Sequence, residues 1–192
     1  MEVDKIRESI VLAATELFRK YGYHKTSVNE IAKRAKIAKA TIYKYFDSKE
    51  ILLHFILMKY ISTSVDEMIR NSDGENNTEA YLSKLIFKTC RLTYTICNEF
   101  IGWDFIRESA NSQGFLKLLS DDLEKLLIRS FRETNLMKND QRYADSLRFL
   151  IKASKSIVFS YAFTSVSDAD VRKNFVSFQK EILPYLIKAA LK

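Results

Sequence analysis

Val28-Asn29-Glu30-Ile31-Ala32-Lys33-Arg34-Ala35, then Lys36-Ile37-Ala38, then Lys39-Ala40-Thr41-Ile42-Tyr43-Lys44-Tyr45: two short amphipathic runs stand on either side of a three-residue break. In the first run Val28, Ile31, Ala32 and Ala35 recur at spacings of three and four, which gives a helix one apolar face. Ser27 and Glu30 form a Ser-x-x-Glu capping box ahead of it, satisfying two N–H groups that a helix start leaves without partners. In the second run Ile42 is four residues from Phe46, so both can turn inward. Lys39, Ala40, Tyr43 and Lys44 fall in an adjoining sector that can stay exposed. A helix-turn-helix pair requires this division: one helix lies across a DNA backbone, and the next enters the major groove with one side packed and the other reading.

The flanking sequence extends the helical reading. Ile6, Ile10, Ala13, Ala14, Leu17, Phe18 and Tyr21 mark a first amphipathic helix, and Gly22 suits its left-handed end. After the second run, Asp47 or Ser48 can cap a long fourth helix, about 48–71, through Ile51, Leu52, Phe55, Ile56 and Met68. The polar stretch Asn71-Ser72-Asp73-Gly74-Glu75-Asn76-Asn77 reads as a loop. Beyond it, five further helices are expected at 78–98, 100–110, 113–134, 141–163 and 168–191. Polar breaks fall at Asn111-Ser112 and Lys138-Asn139-Asp140, Ser167 is a candidate cap, and Pro184 should kink or split the last helix. With 4 Gly and 1 Pro in 192 residues, long helices and short turns are the natural solution. The expected fold is all-α, about nine helices: a helix-turn-helix module over residues 1–50 and a larger body over 51–192, with the fourth helix joining them.

Composition narrows the partners. Hydrophobic residues make up 47% of the chain, enough for a core, and the net charge is +7. Residues 1–60 hold 12 Lys/Arg against 7 Asp/Glu, and residues 61–192 hold 19 against 17, so most of the basic excess lies beside the helix pair. The N-terminus carries Glu2 and Asp4 and runs straight into a helical pattern, unlike a signal peptide. Apolar windows such as Phe55-Ile56-Leu57-Met58 fall far short of a membrane span, so a soluble, cytoplasmic protein without membrane association is expected. Cys90 and Cys97 are seven apart in a helical pattern, roughly 10 Å along the axis, which excludes a disulfide between them and leaves them as small buried hydrophobes. There is no Gly-rich phosphate loop and no Cys/His ligand cluster, so neither catalysis, nor a metal, nor a cofactor is expected. His24 and His54 stand apart and read as surface or packing residues.

The residues from Gly22 to Ala32 (Gly22-Tyr23-His24-Lys25-Thr26-Ser27-Val28-Asn29-Glu30-Ile31-Ala32) resemble the opening of the tetracycline-repressor (TetR) family signature. Ala35-Lys36-Ile37-Ala38-Lys39-Ala40-Thr41-Ile42-Tyr43-Lys44-Tyr45-Phe46 resembles its turn and recognition helix, and Asp47-Ser48-Lys49-Glu50 before Ile51-Leu52-Leu53 resembles the start of its fourth helix. The likeness covers about residues 5–60. It implies contacts to DNA phosphates by Thr26, Thr41, Tyr43, Tyr45 and Lys49, and base reading by Lys39, Ala40 and Lys44. Hydroxyls can donate to phosphate oxygens, lysine to guanine O6 and N7, and a small alanine can approach a thymine methyl. Two positions depart from the pattern: Lys36 and Ala40 stand where the family usually or often has glycine. If the backbone at Lys36 has positive φ, the lysine costs roughly 1 kcal/mol.

For residues 51–192 the resemblance implies a homodimer that binds a small-molecule effector and releases double-stranded operator DNA. Leu147, Leu150, Ile151, Ser154, Ile157, Val158 and Tyr161, with Phe175, Phe178, Ile182, Leu186 and Ile187, are the expected dimer contacts of the last two helices. The same apolar stripes could serve the protomer's own core. Leu92, Tyr94, Phe100, Trp103, Phe105, Ile106, Leu119 and Phe159 are the expected lining of a pocket for an apolar or aromatic effector. The alternative is a ligand-binding or protein-interaction module of the same fold that has lost operator recognition.

Overall fold

The computed structural model describes residues 2–71, 77–108, 113–132, 141–165 and 167–191. The expected breaks at Asn111-Ser112 and Lys138-Asn139-Asp140, and most of the loop expected after Asn71, lie outside the described residues. The elements are α1 (Glu2–Tyr21), α2 (Val28–Ala35), α3 (Lys39–Tyr45), α4 (Lys49–Arg70), α5 (Thr78–Thr95), α6 (Trp103–Glu108), α7 (Gln113–Arg132), α8 (Gln141–Thr164), α9 (Asp168–Ser177) and α10 (Leu183–Ala190), with no strand among the described residues.

Local chemistry sets the boundaries. Gly22 ends α1 with φ +81°, and its N–H donates to Phe18 O at 2.8 Å. The capping box opens α2: the Glu30 N–H donates to Ser27 Oγ at 3.2 Å, and the Ser27 N–H donates to Glu30 Oε2 at 2.7 Å. Lys36 closes α2 in the left-handed conformation, φ +57° and ψ +41°. The Ile37 N–H reaches back to Ala32 O and the Lys36 N–H to Lys33 O, the hydrogen-bond pair of a Schellman end. Ser48 is the residue that caps α4, its Oγ accepting from the Ile51 N–H at 3.2 Å. Ser167 likewise caps α9, accepting from the Asp170 N–H at 3.2 Å.

Two helices are re-wound where the sequence suggested plain breaks. α5 ends at Thr95 and passes into a π-helical turn, Ile96–Ile101, closed by Gly102 at φ +92°. The wider turn buries Ile96, Cys97, Phe100 and Ile101 together, and the Gly102 N–H returns to Cys97 O at 2.9 Å. Near the C-terminus a second π turn, Phe178–Ile182, precedes α10, whose first turn holds Pro184. Proline offers no N–H to the carbonyl four residues back and crowds it, and the wide turn absorbs the misfit.

The chain packs as two compact units: residues 1–60 with 95–119, and residues 61–94 with 120–192. This differs from the division expected at residue 50. α4 runs unbroken past that point, and the segment after α5 returns to bury Phe100 in the first unit. The first unit's core includes Ile10, Ala14, Phe18, Ile31, Ile42, Phe46, Leu53 and Leu57. In the second unit, Phe175 sits amid Phe87, Tyr94 and Tyr161, each ring edge-on to it. On that unit's surface, Glu124 meets Arg148 at 3.6 Å. Cys90 and Cys97 are buried free thiols, each pushed up to about 12 by desolvation, which keeps them protonated and unreactive. No helix among the described residues is long and apolar enough to cross a membrane.

Candidate nucleic-acid interface

α3 divides as its sequence implies. Ile42 and Phe46 are buried, while Lys39, Ala40, Tyr43 and Lys44 are exposed, Tyr43 at 44%. The Lys39 ammonium lies 5.9 Å from the Tyr43 ring centre, so charge and aromatic face project from one patch. Thr41 and Tyr45 are half-buried at its sides. Beneath α3, Phe46 packs on Phe55 with ring centres 5.5 Å apart, and the Arg7 guanidinium covers Phe55 at 4.4 Å. α2 is tied to α1 by Arg34, which donates through both Nε and Nη2 to Glu16 Oε2 at 2.9 and 2.6 Å. α3 therefore stands on a platform held by core packing and an ion pair.

Two of the five expected phosphate ligands are placed differently. Thr26 is only 2% exposed, and its hydroxyl donates inward to Gly22 O at 2.9 Å. In this geometry the Thr26 hydroxyl braces the link between α1 and α2 and does not face outward, where a phosphate contact was expected. Lys49 is half-buried, and its Nζ donates to Tyr23 O at 3.0 Å and Thr26 O at 2.8 Å, above the Tyr23 ring at 4.2 Å. Burial holds its ammonium below the ordinary lysine range. An ammonium has three N–H donors, and these carbonyls engage two of them.

Sequence reasoning missed Tyr23. It is 4% exposed, its hydroxyl donates to Glu50 Oε1 at 2.6 Å, and its backbone N–H donates to Phe100 O at 2.8 Å. Burial first, and then the Glu50 bond, push the Tyr23 hydroxyl well above its ordinary range; the same bond holds the Glu50 carboxyl below its own. Phe100 and Phe105, expected to line a pocket, pack in the first unit. Phe100 lies against Tyr60 at 5.3 Å, and Phe105 meets Tyr23 at 5.4 Å and stacks on His24 at 5.6 Å. The π turn and Gly102 aim these rings at the base of the helix pair. The other expected lining residues are spread across both units: Trp103, Ile106 and Leu119 in the first, Leu92, Tyr94 and Phe159 in the second.

The expected dimer residues are mostly interior to the protomer. Leu147, Leu150, Ile151, Ser154, Val158, Tyr161, Phe175, Phe178 and Ile187 are buried, and Ile157, Ile182 and Leu186 half-buried. The reason is periodicity: the densest apolar stripe on a helix marks the side facing its own core. The outward side of α8 carries Phe149, Ser156 and Ser160, and the later helices expose Val176 and Tyr185, the last at 75%.

Residues 10–55 match the family described as bacterial regulatory proteins, tetR family. The regulator HbdR of Aromatoleum sp. (strain CIB) is 32% identical over 88 residues, 46% of this chain and 38% of that relative. Over the whole chain, a TetR transcriptional regulator from Rhodococcus sp. RHA1 shares the fold with a TM-score of 0.68 at 15% identity, covering 100% of this chain and 98% of the other. The regulator FadR from Bacillus subtilis, solved with stearoyl-CoA, aligns with a TM-score of 0.54 at 19% identity over 94% and 97% of the two chains. Sequence likeness is thus concentrated in the helix-turn-helix half, and likeness of fold extends throughout.

Proposed function

We propose, from the match of residues 10–55 to the tetR family of bacterial regulatory proteins and the likeness of fold along the whole chain, that the chain is a sequence-specific DNA-binding transcriptional regulator of that family, a repressor released from its operator by a small effector. The observation that carries this reading is the division of α3: Ile42 and Phe46 inside, Lys39, Ala40, Tyr43 and Lys44 outside, on a helix pair with an intact capping box. Lys39, Ala40 and Lys44 read base edges in the major groove. Tyr43, Thr41 and Tyr45, with the remaining donor of Lys49, hold phosphates and set the docking register. Two copies are needed, since one reading helix of seven residues covers a half-site only. The outward faces of α8 and α9–α10 supply the pairing surface. Ser156 and Ser160 let backbones approach closely, while Phe149, Val176 and Tyr185 add apolar area.

The effector binds in the second unit, among Leu92, Tyr94, Phe159 and the rings around Phe175. Among the described residues the buried hydroxyl of Thr89 has no hydrogen-bond partner, and that of Ser154 has only the weak thiol of Cys90 beside it, so a ligand's polar group would meet a complement there. This suits an apolar molecule with one or two polar atoms; FadR was solved with stearoyl-CoA, whose acyl chain is apolar and whose coenzyme A part is highly polar. An effector that favours another separation of the two reading helices than the roughly 34–36 Å of one DNA turn lowers operator affinity by its preference between the two states.

The test is binding of the purified full chain to the DNA upstream of its own gene and to a random-sequence pool, at about 150 mM salt with nonspecific competitor. Saturable enrichment of one sequence, lost on Tyr43→Ala with Lys44→Ala, supports the proposal. Enrichment of nothing from either source refutes it and leaves a ligand-binding module without operator recognition.

A further inference from the structure

Tyr23 joins three stretches of chain that are far apart in sequence. It lies in the short link between α1 and α2. Its carbonyl and ring hold Lys49, and its hydroxyl holds Glu50, both in the first turn of α4. Its N–H bonds Phe100 O, and its ring meets the edge of Phe105. Secondary ties follow the same route: Arg19 donates to Glu99 Oε2 at 2.6 Å and covers Phe100 at 5.4 Å. Gly22 lies beneath Ile101, where even a Cβ would sit 3.8 Å from the carbonyl oxygen. All of these contacts lie within the first unit.

The third stretch is the unusual one. Residues 96–105 are built from a π turn and a left-handed Gly102, and they continue the chain directly from α5 of the second unit. π turns interrupt the regular hydrogen-bond ladder and are frequent at functional sites. Any change of state that shifts the end of α5 therefore reaches Phe100 and Phe105 through the covalent chain, and through them Tyr23.

We infer that Tyr23 is the positioning residue through which residues 96–105 hold the start of α4 and the reading helix in their DNA-binding arrangement. The inference rests on the regulator reading above and adds the route by which the effector acts. When residues 96–105 withdraw, Tyr23 loses the Phe100 carbonyl and the Phe105 edge. Its grip on Glu50 and Lys49 then loosens, and the first turn of α4 and the link ahead of α2 shift together. The tie through residues 96–105 acts in addition to α4, whose residues are shared by the two units.

The experiment uses the full chain in two arms. Hydrogen exchange is followed at the amides of α3 and of the first turn of α4 in the wild type, Tyr23→Phe and Phe105→Leu. Both variants should exchange faster there while their melting temperatures stay near that of the wild type. Unchanged exchange in either overturns the inference, whatever the DNA result. In the second arm, affinity for a duplex enriched by the wild type is measured for the single and double variants. Each single substitution should weaken binding about five- to tenfold, in the usual range for a coupling contact, and the double no further than the weaker-binding single. Multiplying effects show two independent sites and overturn it. Glu50→Gln, which keeps an acceptor for the tyrosine hydroxyl, should restore near wild-type affinity where Glu50→Leu behaves like Tyr23→Phe. Equal loss in both Glu50 variants also overturns it. If no duplex is enriched, the regulator reading fails on its own, and the exchange arm still decides whether Tyr23 holds α4 in place.

Discussion

α3 and α8 are both amphipathic, and the same pattern means different things in each. α3 has seven residues, of which Ile42 alone is buried, with Phe46 buried just past its end, so nearly all the rest of its surface is available to a partner. α8 has twenty-four, and its dense stripe of Leu147, Leu150, Ile151, Ser154, Val158 and Tyr161 is used up inside the protomer. On the short helix, sorting apolar from polar leaves by elimination the face proposed to read DNA. On the long one it names the core, and the face proposed for pairing is the sparse remainder around Phe149, Ser156 and Ser160. An apolar stripe is thus evidence for the inside first, and for an interface only where the inside is already filled.

The sharpest break between the two helices is energetic. Leu150→Ala removes a fully buried side chain and should lower the unfolding free energy by about 2–5 kcal/mol, read by denaturant melts. A loss under 1 kcal/mol would mean that α8 does not hold the protomer's core and would revive its stripe as an interface. Tyr43→Ala with Lys44→Ala on α3 should do the opposite. Both side chains are exposed, so stability should hold, while operator affinity should fall about 100-fold at constant salt. If stability fell with affinity, the outward side of α3 would be supporting the fold as well.

The helix pair was legible because its signals are local. A capping box, a left-handed turn and an apolar pair four residues apart each occupy a few neighbouring positions, and all were found where the pattern placed them. What was not legible depends on residues brought together over long separations. Nothing near Thr26 says that its hydroxyl turns to Gly22, and nothing near Lys49 says that carbonyls 23 and 26 residues earlier will take its ammonium. Phe100 and Phe105 looked like pocket residues because aromatic spacing cannot tell a ligand from Tyr23 and Tyr60. The π turns were hidden for another reason: they widen a helix by one residue without changing its composition, and only Gly102 and Pro184 stood near them as signs.

The outward face of α8 gives a smaller and more selective effect. Phe149→Asp places a charge on the proposed pairing surface without opening a cavity, since Phe149 is 48% exposed. It should leave the melt of the isolated protomer nearly unchanged and raise the dimer dissociation constant at least tenfold in sedimentation equilibrium. An unchanged dimer would move the pairing surface off this face of α8 altogether.

The smallest effect is expected at the turn that makes α3 possible. Lys36 is the one non-glycine residue with positive φ among the described residues, and its Schellman hydrogen bonds require that conformation. A side chain there costs roughly 1 kcal/mol, part of which glycine gives back through its freer unfolded chain. Lys36→Gly should therefore raise stability by about 0.5–1 kcal/mol, a gain of roughly 1–4 °C in melting temperature for a chain of this size. Lys33, Arg34 and Lys39 lie close in sequence, so relief of charge repulsion is a rival cause of the same gain. Lys36→Ala separates them, for it removes the charge and keeps the strain. If strain governs, alanine yields nothing and only glycine stabilises. Equal gains from both would assign the cost to the cluster of positive charge, and the lysine would then stand in the turn at the expense of stability and to the benefit of a polyanionic partner.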